Sequence, residues 1–307
     1  AKRVLDQGAT ARVRRFESVD GVFAATENGL FRSVDGGRSW ENLGLPANDV
    51  WSVLVGPDGT LYAGTFPARL FRSADGGTTW VELVSVQQIP TRDQWEGPGD
   101  VPDARVRSLA AHPDVPDRVI MGIESGGFYV SEDNGHTWLD RTQGIKHDIH
   151  HILVRGPEDY VVACGRLELG TNQLGDAGLY RTITGGRKWT RLDTGVEHSY
   201  FRETFERGPV LYAAASKTQP GEWDGDKGAE AALFESRDTG ETLERVPYPG
   251  EPEHVVLAWA EHGDHVVAGT EGPDGGRVLR RTDDGTWEPA GNLPAAVRSM
   301  TADATPT

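Results

Sequence analysis

The chain of 307 residues carries 31 Lys+Arg against 47 Asp+Glu, a formal charge of −16, so it lacks the basic face that phosphate contacts need, and nucleic acid is excluded as a partner. Its single cysteine, Cys164, rules out an internal disulfide framework and a Cys-based zinc site. The longest apolar run, residues 255–260, falls far short of the ~18 residues of a membrane span, so no membrane insertion is expected.

In chain order the sequence reads as short β-branched segments of period two, bounded by Gly, Pro and Asp, with no sustained helical period. Segments such as GVFAAT, TLYAGT, VIMGIE, YVVACG, VLYAAA and HVVAGT recur, each just ahead of a common motif. That motif is SVDGGRSW at 33–40, SADGGTTW at 73–80, SEDNGHTW at 131–138, TITGGRKW at 182–189, SRDTGETL at 236–243 and RTDDGTW at 281–287. Around it the layout is constant: two apolar strands, a third ending in an aromatic-Arg-Ser step, the motif as a turn, and a fourth strand opening at its Trp.

Each motif position has a physical task. The carboxylates of Asp35, Asp75, Asp133, Asp238 and Asp283 are placed to accept backbone N–H groups inside the turn. The glycine two positions later supplies the positive φ of a tight turn. Trp40, Trp80, Trp138, Trp189 and Trp287 then bury a large ring against the neighbouring sheet. Leu243 fills that slot in the fifth copy, Thr184 replaces Asp in the fourth, and the sixth is one residue short. A calcium loop would need ligands at alternate positions and a closing Glu, which no copy has.

The six segments resemble the Asp-box, or BNR, repeat of sialidases, sortilin-type receptors, some endoglucanases and photosystem assembly factors, over about residues 13–290. The resemblance implies one all-β domain over 1–307, a β-propeller of four-stranded blades with the motif between third and fourth strands. Full blades are expected near 11–48, 49–90, 104–145, 148–195, 198–250 and 253–294. AVRSMTAD (296–303) parallels RVRSLAAH (105–112), and RVLDQ (3–7) reads as an outermost strand. Residues 1–10 and 295–307 are therefore expected to form a partial closing blade, which leaves the count at six or seven. Separately, Lys supplies only five of the 31 cations; this bias beside surplus carboxylate resembles haloarchaeal proteins and suits molar salt.

Family sites lie on the face opposite the Asp-boxes. Insertions at 84–104, 164–178 and 214–232 project there by this resemblance, with Glu96, Asp100, Glu168, Asp176, Asp224 and Asp226 on them. Residues opening the innermost strands are expected to crowd the channel mouth: Arg14, Trp51, Arg107, His150, Tyr200, Val255 and Arg298, with Arg15, His151 and Phe201 beside them. Converging arginines there suit a carboxylate or phosphate. His147, His150, His151 and His198 are expected as ordinary hydrogen-bonded side chains rather than ligands, with no metal and no cofactor, and Cys164 as a small buried hydrophobe. The sialidase Arg-Ile-Pro motif is replaced by Gln88-Ile89-Pro90, and Tyr200 with Glu203 imitates that family's nucleophile couple only loosely. The expected function is a binding or assembly scaffold for a glycan or protein ligand. The alternative is a hydrolase or lyase acting on an anionic sugar, with His150, Tyr200 and Glu203 as catalytic candidates. AKRVLDQGAT lacks a signal peptide's apolar core, so a cytoplasmic monomer is expected, although a chain opening on Ala is also compatible with a removed leader.

Overall fold

Strands this short cannot bury a two-sided sheet alone, so each must stack its sheet against the next. The computed structural model describes residues 5, 10–16, 19–97, 101–165, 177–223 and 228–301, without the side chains of residues 11, 15 and 19. Blade one is β1 (Thr10–Phe16), β2 (Val19–Thr26), β3 (Gly29–Ser33) and β4 (Glu41–Asn42). Blade two is β5 (Val50–Val55), β6 (Leu61–Thr65), β7 (Leu70–Ser73) and β8 (Val81–Glu82). Blade three is β9 (Arg105–His112), β10 (Val115–Glu124), β11 (Gly127–Ser131) and β12 (Leu139–Asp140). Blade four is β13 (Ile149–Val154), β14 (Tyr160–Cys164), β15 (Gly178–Thr182) and β16 (Thr190–Arg191). Blade five is β17 (Tyr200–Arg207), β18 (Val210–Ser216), β19 (Ala232–Ser236) and β20 (Glu244–Val246). Blade six is β21 (Val255–His262), β22 (His265–Glu271), β23 (Gly276–Arg281) and β24 (Trp287–Leu293). All pairings are antiparallel between consecutive strands, and the six sheets stand in a ring: a six-bladed β-propeller.

Apolar side chains fill the seams between blades. Phe23, Leu30 and Leu43 of blade one meet Val53, Leu61 and Phe71 of blade two, and equivalent clusters recur along the ring to blade six. Two glycines show how closely the inner strands approach. A Cβ on Gly64 would lie 2.4 Å from Val106 of the next blade, and one on Gly122 would lie 2.5 Å from Ile149.

The repeated turn closes on its own polar atoms. Asp75 Oδ1 accepts the Thr79 N–H (2.9 Å), its Oδ2 accepts the Thr79 hydroxyl (2.6 Å), and Ser73 Oγ accepts the Gly77 N–H (2.9 Å). Asp35, Asp133 and Asp238 do the same toward Ser39, Thr137 and Thr242. In the fourth copy Thr184 Oγ1 takes the carboxylate's place, accepting the Lys188 N–H at 2.9 Å. The expectation for Asp283 is corrected. Its side chain is 92% exposed near His265, and Asp284 instead accepts the Thr282 hydroxyl (2.5 Å) and the Thr286 N–H (3.1 Å). The missing residue slides the acid by one place. Trp80 and Trp189 donate to the carbonyls of Leu43 and Arg141 (both 2.9 Å), pinning each blade to the one before it. Trp40 instead donates to Gly37 of its own turn, at 3.1 Å.

The described part of the expected closing blade forms no seventh sheet; residues 1–4, 6–9 and 302–307 lie outside the described residues. Residues 295–301 nevertheless sit between blade six and blade one. The Val297 N–H donates to the Thr270 carbonyl (2.9 Å), and Ser299 Oγ accepts the Val13 N–H (2.9 Å). Ser108 Oγ accepts the Ile152 N–H of the following blade in the same manner, at 3.1 Å. The insertion at 84–104 reaches the Glu124 end of β10, where the Glu96 N–H faces the Ser125 carbonyl (3.4 Å). Its described part forms short turns at Val84–Gln88 and Arg92–Gln94 and buries Val86, Ile89 and Trp95 in the seam of blades two and three.

Candidate functional site

Antiparallel alternation sends the start of each first strand and the end of each second strand to the channel end opposite the repeated turns. There the pairing of each inner strand is interrupted. The register shifts between Val50 and Ser52, Ile149 and His151, Phe201 and Thr204, and Val256 and Ala258. In blade three, Arg107 is left between the paired Val106 and Ser108, and in blade one the shift falls between Thr10 and Arg12. A bulge re-aims the residue it leaves unpaired. The equivalent positions are therefore Trp51, Arg107, His150, Arg202 and Leu257, which corrects the expected register of Arg14, Tyr200 and Val255.

Glu124, at the end of β10, is 4% exposed and bonded by Arg105 Nη1 (2.9 Å) and by Arg107 Nη1 (3.2 Å to each oxygen). Burial raises its pKa, but Arg107 and then Arg105 pull it down to about 2. The Trp51 ring lies 4.3 Å from the Arg105 guanidinium and 5.2 Å from that of Arg107, with its N–H donated to Asp49 at 2.8 Å. Burial, together with the positive field of Arg202, lowers the Arg107 guanidinium to about 10.

Arg202 differs from its neighbours. Its Nη1 donates to the neutral Tyr200 hydroxyl (3.0 Å), and among the described residues no carboxylate lies within ion-pair distance of it. Burial pushes the Tyr200 phenol up, although Arg202 opposes this. Tyr200 stands edge-on to His150 (centroids 5.2 Å apart) and to Trp223 (6.2 Å), which the 214–232 insertion supplies. His150 Nδ1 lies 2.9 Å from the Phe201 carbonyl, which can only accept, so that nitrogen carries the proton. Its Nε2 faces Asp148 Oδ1 at 3.5 Å.

A second layer lies in the channel. Arg12 of blade one forms an ion pair with Glu203 of blade five, and Arg14 Nη2 lies 3.2 Å from His151 Nε2. Burial pushes His151 down to about 3, and Arg14 and Arg12 act in the same direction. Burial would raise Glu203, but Arg12 draws it down. Tyr200 and Glu203 thus serve different layers and do not form a couple. Arg298 pairs with Glu271 at 2.6 Å, its side chain 53% exposed, and makes none of the contacts that join Arg107, His150 and Tyr200. His198 Nε2 lies 2.8 Å from the Glu230 carbonyl, and burial raises the Cys164 thiol. Asp100, Glu168, Asp176, Asp224 and Asp226 lie outside the described residues, as does the Arg15 side chain.

Sequence reasoning missed Arg105, Glu124, Asp148, Arg202, Trp223 and Arg12. One available clue was the paired endings Gly122-Ile123-Glu124 and Gly269-Thr270-Glu271, each carboxylate seating the arginine of a Val-Arg-Ser step. Buried Glu124, Asp148 and His150 place one ligand atom each within 4.8 Å of one another. Both Glu124 oxygens already receive guanidinium N–H groups, and a dication would add charge where three arginines converge. The triangle is therefore not a fitting metal centre.

No protein-family model matches the chain, and no curated protein matches it. Its fold is similar to a GH74 enzyme from Niastella koreensis, at 15% identity and a TM-score of 0.69, covering 92% of this chain and 45% of that one. It is also similar to the extracellular domain of BT4673 from B. thetaiotaomicron, at 10% identity and a TM-score of 0.68, covering 97% and 38%. YCF48 from Cyanidioschyzon merolae matches at 17% identity and a TM-score of 0.63, covering 94% and 87%. The chain thus spans less than half the length of the GH74 and BT4673 chains, and at these identities the likeness establishes the fold alone.

Proposed function

We propose that this propeller is a binding scaffold whose channel mouth holds a carboxylate group of a glycan or protein ligand, seated between Arg107 and Arg202. The observation that carries the reading is Arg202, a guanidinium at the mouth that donates to a neutral hydroxyl and has no carboxylate partner among the described residues. Among the described residues, the guanidiniums of Arg105, Arg107 and Arg202 outnumber the carboxyl groups of Glu124 and Asp148 beside them. Charge-assisted bonds to a ligand carboxylate would offset this excess. Trp51, partly exposed beside Arg105 and Arg107, provides an aromatic surface of the kind that sugar rings and peptide side chains pack against, while Tyr200 and Trp223 are buried. That a GH74 xyloglucanase shares the fold is compatible with a glycan ligand. The Asp-box ancestry of the turns and adaptation to high salt belong to the same reading, supported by the recurring Ser-Asp-Thr hydrogen bonds and by the five Lys among 31 cations.

Catalysis is the weaker reading. Tyr200 is held protonated by burial, so it is not poised as a nucleophile, and Glu203 is held ionised against Arg12, so it is not poised as a proton donor. The test is calorimetry against uronic-acid oligomers, sialylated glycans and acidic peptides. A ligand that binds the native protein is expected to lose about 10- to 100-fold in affinity with Arg202→Ala, the scale of a charge-assisted bond. Equal affinity in that variant would sink the proposed seat. Turnover of any bound sugar, abolished by Tyr200→Phe, would restore the enzymatic alternative.

A further inference from the structure

We propose that anion binding at this mouth is linked to a proton on His150 and tightens as pH falls. The inference rests on the Arg107/Arg202 seat proposed above. His150 is tied to that seat in three ways. Its Nδ1–H donates to the carbonyl of Phe201, the residue directly before Arg202 (2.9 Å). Its ring packs edge-on against Tyr200, whose hydroxyl accepts from Arg202 (3.0 Å). Its Nε2 points at Asp148 Oδ1 (3.5 Å), and one atom each of His150, Asp148 and Glu124 lie within 4.8 Å of one another.

With Nδ1–H committed to a carbonyl, a neutral ring turns its Nε2 lone pair toward the Asp148 carboxyl group, which is unfavourable. A proton on Nε2 converts this contact into a charge-assisted hydrogen bond to Asp148. Among the described residues, the charged and titratable groups of this cluster are Asp148 from its own segment, Glu124 from β10, Arg105 and Arg107 from β9, and Tyr200 and Arg202 from β17, with Cys164 near Asp148, and Lys146 and Asp193 near Cys164. Protonation adds one positive charge and offsets the Asp148 charge that now faces Arg202, so the field at the seat becomes more favourable to an anion. Linkage is reciprocal: an anion in the seat must raise the affinity of His150 for its proton by the same factor.

Sulfate is a suitable probe, because its own charge stays constant over the range in which histidine titrates. Its affinity would be measured by calorimetry from pH 5 to 8, and the His150 ring resonances would be followed by NMR with and without sulfate. Sulfate should bind about tenfold more tightly at pH 5 than at pH 8. Saturating sulfate should also move the His150 titration upward by about one unit. His150→Gln should remove the pH dependence while leaving the weaker pH 8 affinity. Asp148→Asn, which keeps the imidazole but removes the group that stabilises its charged form, should move the dependence to lower pH. Sulfate bound with the same affinity at every pH, or a pH dependence unchanged in His150→Gln, would overturn the linkage while leaving the seat itself standing. If sulfate fails to bind at any pH, the seat is wrong and the linkage falls with it.

Discussion

Among individual residues, Arg12 and Glu203 carry a large electrostatic stake. Their side chains are 8% and 13% exposed, so each desolvated charge is tolerated only because of the other. Arg12→Met should cost about 3–5 kcal/mol in chemical denaturation, since it strands Glu203, whereas Arg12→Met combined with Glu203→Leu should recover most of that loss. His151, beside this pair, is neutral in the fold, because burial lowers it from an ordinary 6.5 to about 3. The sign follows directly. The unfolded chain gains a proton there first, so stability present above pH 6.5 is lost as pH falls toward 3, by ~3 kcal/mol at pH 4. His151→Gln should flatten that part of the stability–pH curve, and an unchanged slope would show that other groups set it.

At the scale of the element, the repeated turn and its tryptophan were legible in the sequence because their chemistry is local. An Asp accepting N–H groups two to four residues on, a Gly at positive φ and a ring opening the next strand are all encoded within eight positions. Asp283 was misplaced for the same reason: with one residue missing, the neighbouring acid reaches the donors. The bonds from the Thr79 hydroxyl, the Thr79 N–H and the Ser73 hydroxyl draw Asp75 down to about 2. Its contribution is therefore present above an unfolded pKa near 3.9 and lost as pH falls through about 2, well below the window of His151. Asp75→Ala should lower the melting temperature at pH 7, and by less when both proteins are compared near pH 2. The mouth was less legible. An inner strand that bulges by one residue leaves no trace in period-two patterning, so Tyr200 was read where Arg202 stands, and Val255 where Leu257 stands. Glu124 left only the clue of its paired strand ending, because the arginines that hold it stand on the neighbouring strand.

Across the whole molecule, the preference for Arg over Lys acquires a structural use. Arg155 reaches Glu206 of the next blade (2.8 Å), Arg118 reaches Glu158 (2.9 Å), and Arg281 of blade six reaches Glu235 of blade five (2.8 Å). The planar fork bridges adjacent sheets with paired bonds that an ammonium does not reproduce. Glu235 is 4% exposed, held by Arg281 and Arg237, and also accepts the Trp287 N–H (3.2 Å). Glu235→Gln should therefore cost ~2–4 kcal/mol in global unfolding and loosen blade six first in hydrogen exchange. Retained protection of β21–β24 in that variant would mean that the apolar seam alone holds the blade.

The Arg12–Glu203 pair also has a mechanical meaning. It joins blade one to blade five, which are not neighbours in the ring, whereas Ser299 closes the rim between blades six and one. It acts as a spoke across the wheel. Losing the rim contact would free blade six to swing outward while the hub stays tied, so the ring should yield by shedding its last blade rather than by uncoiling from end to end.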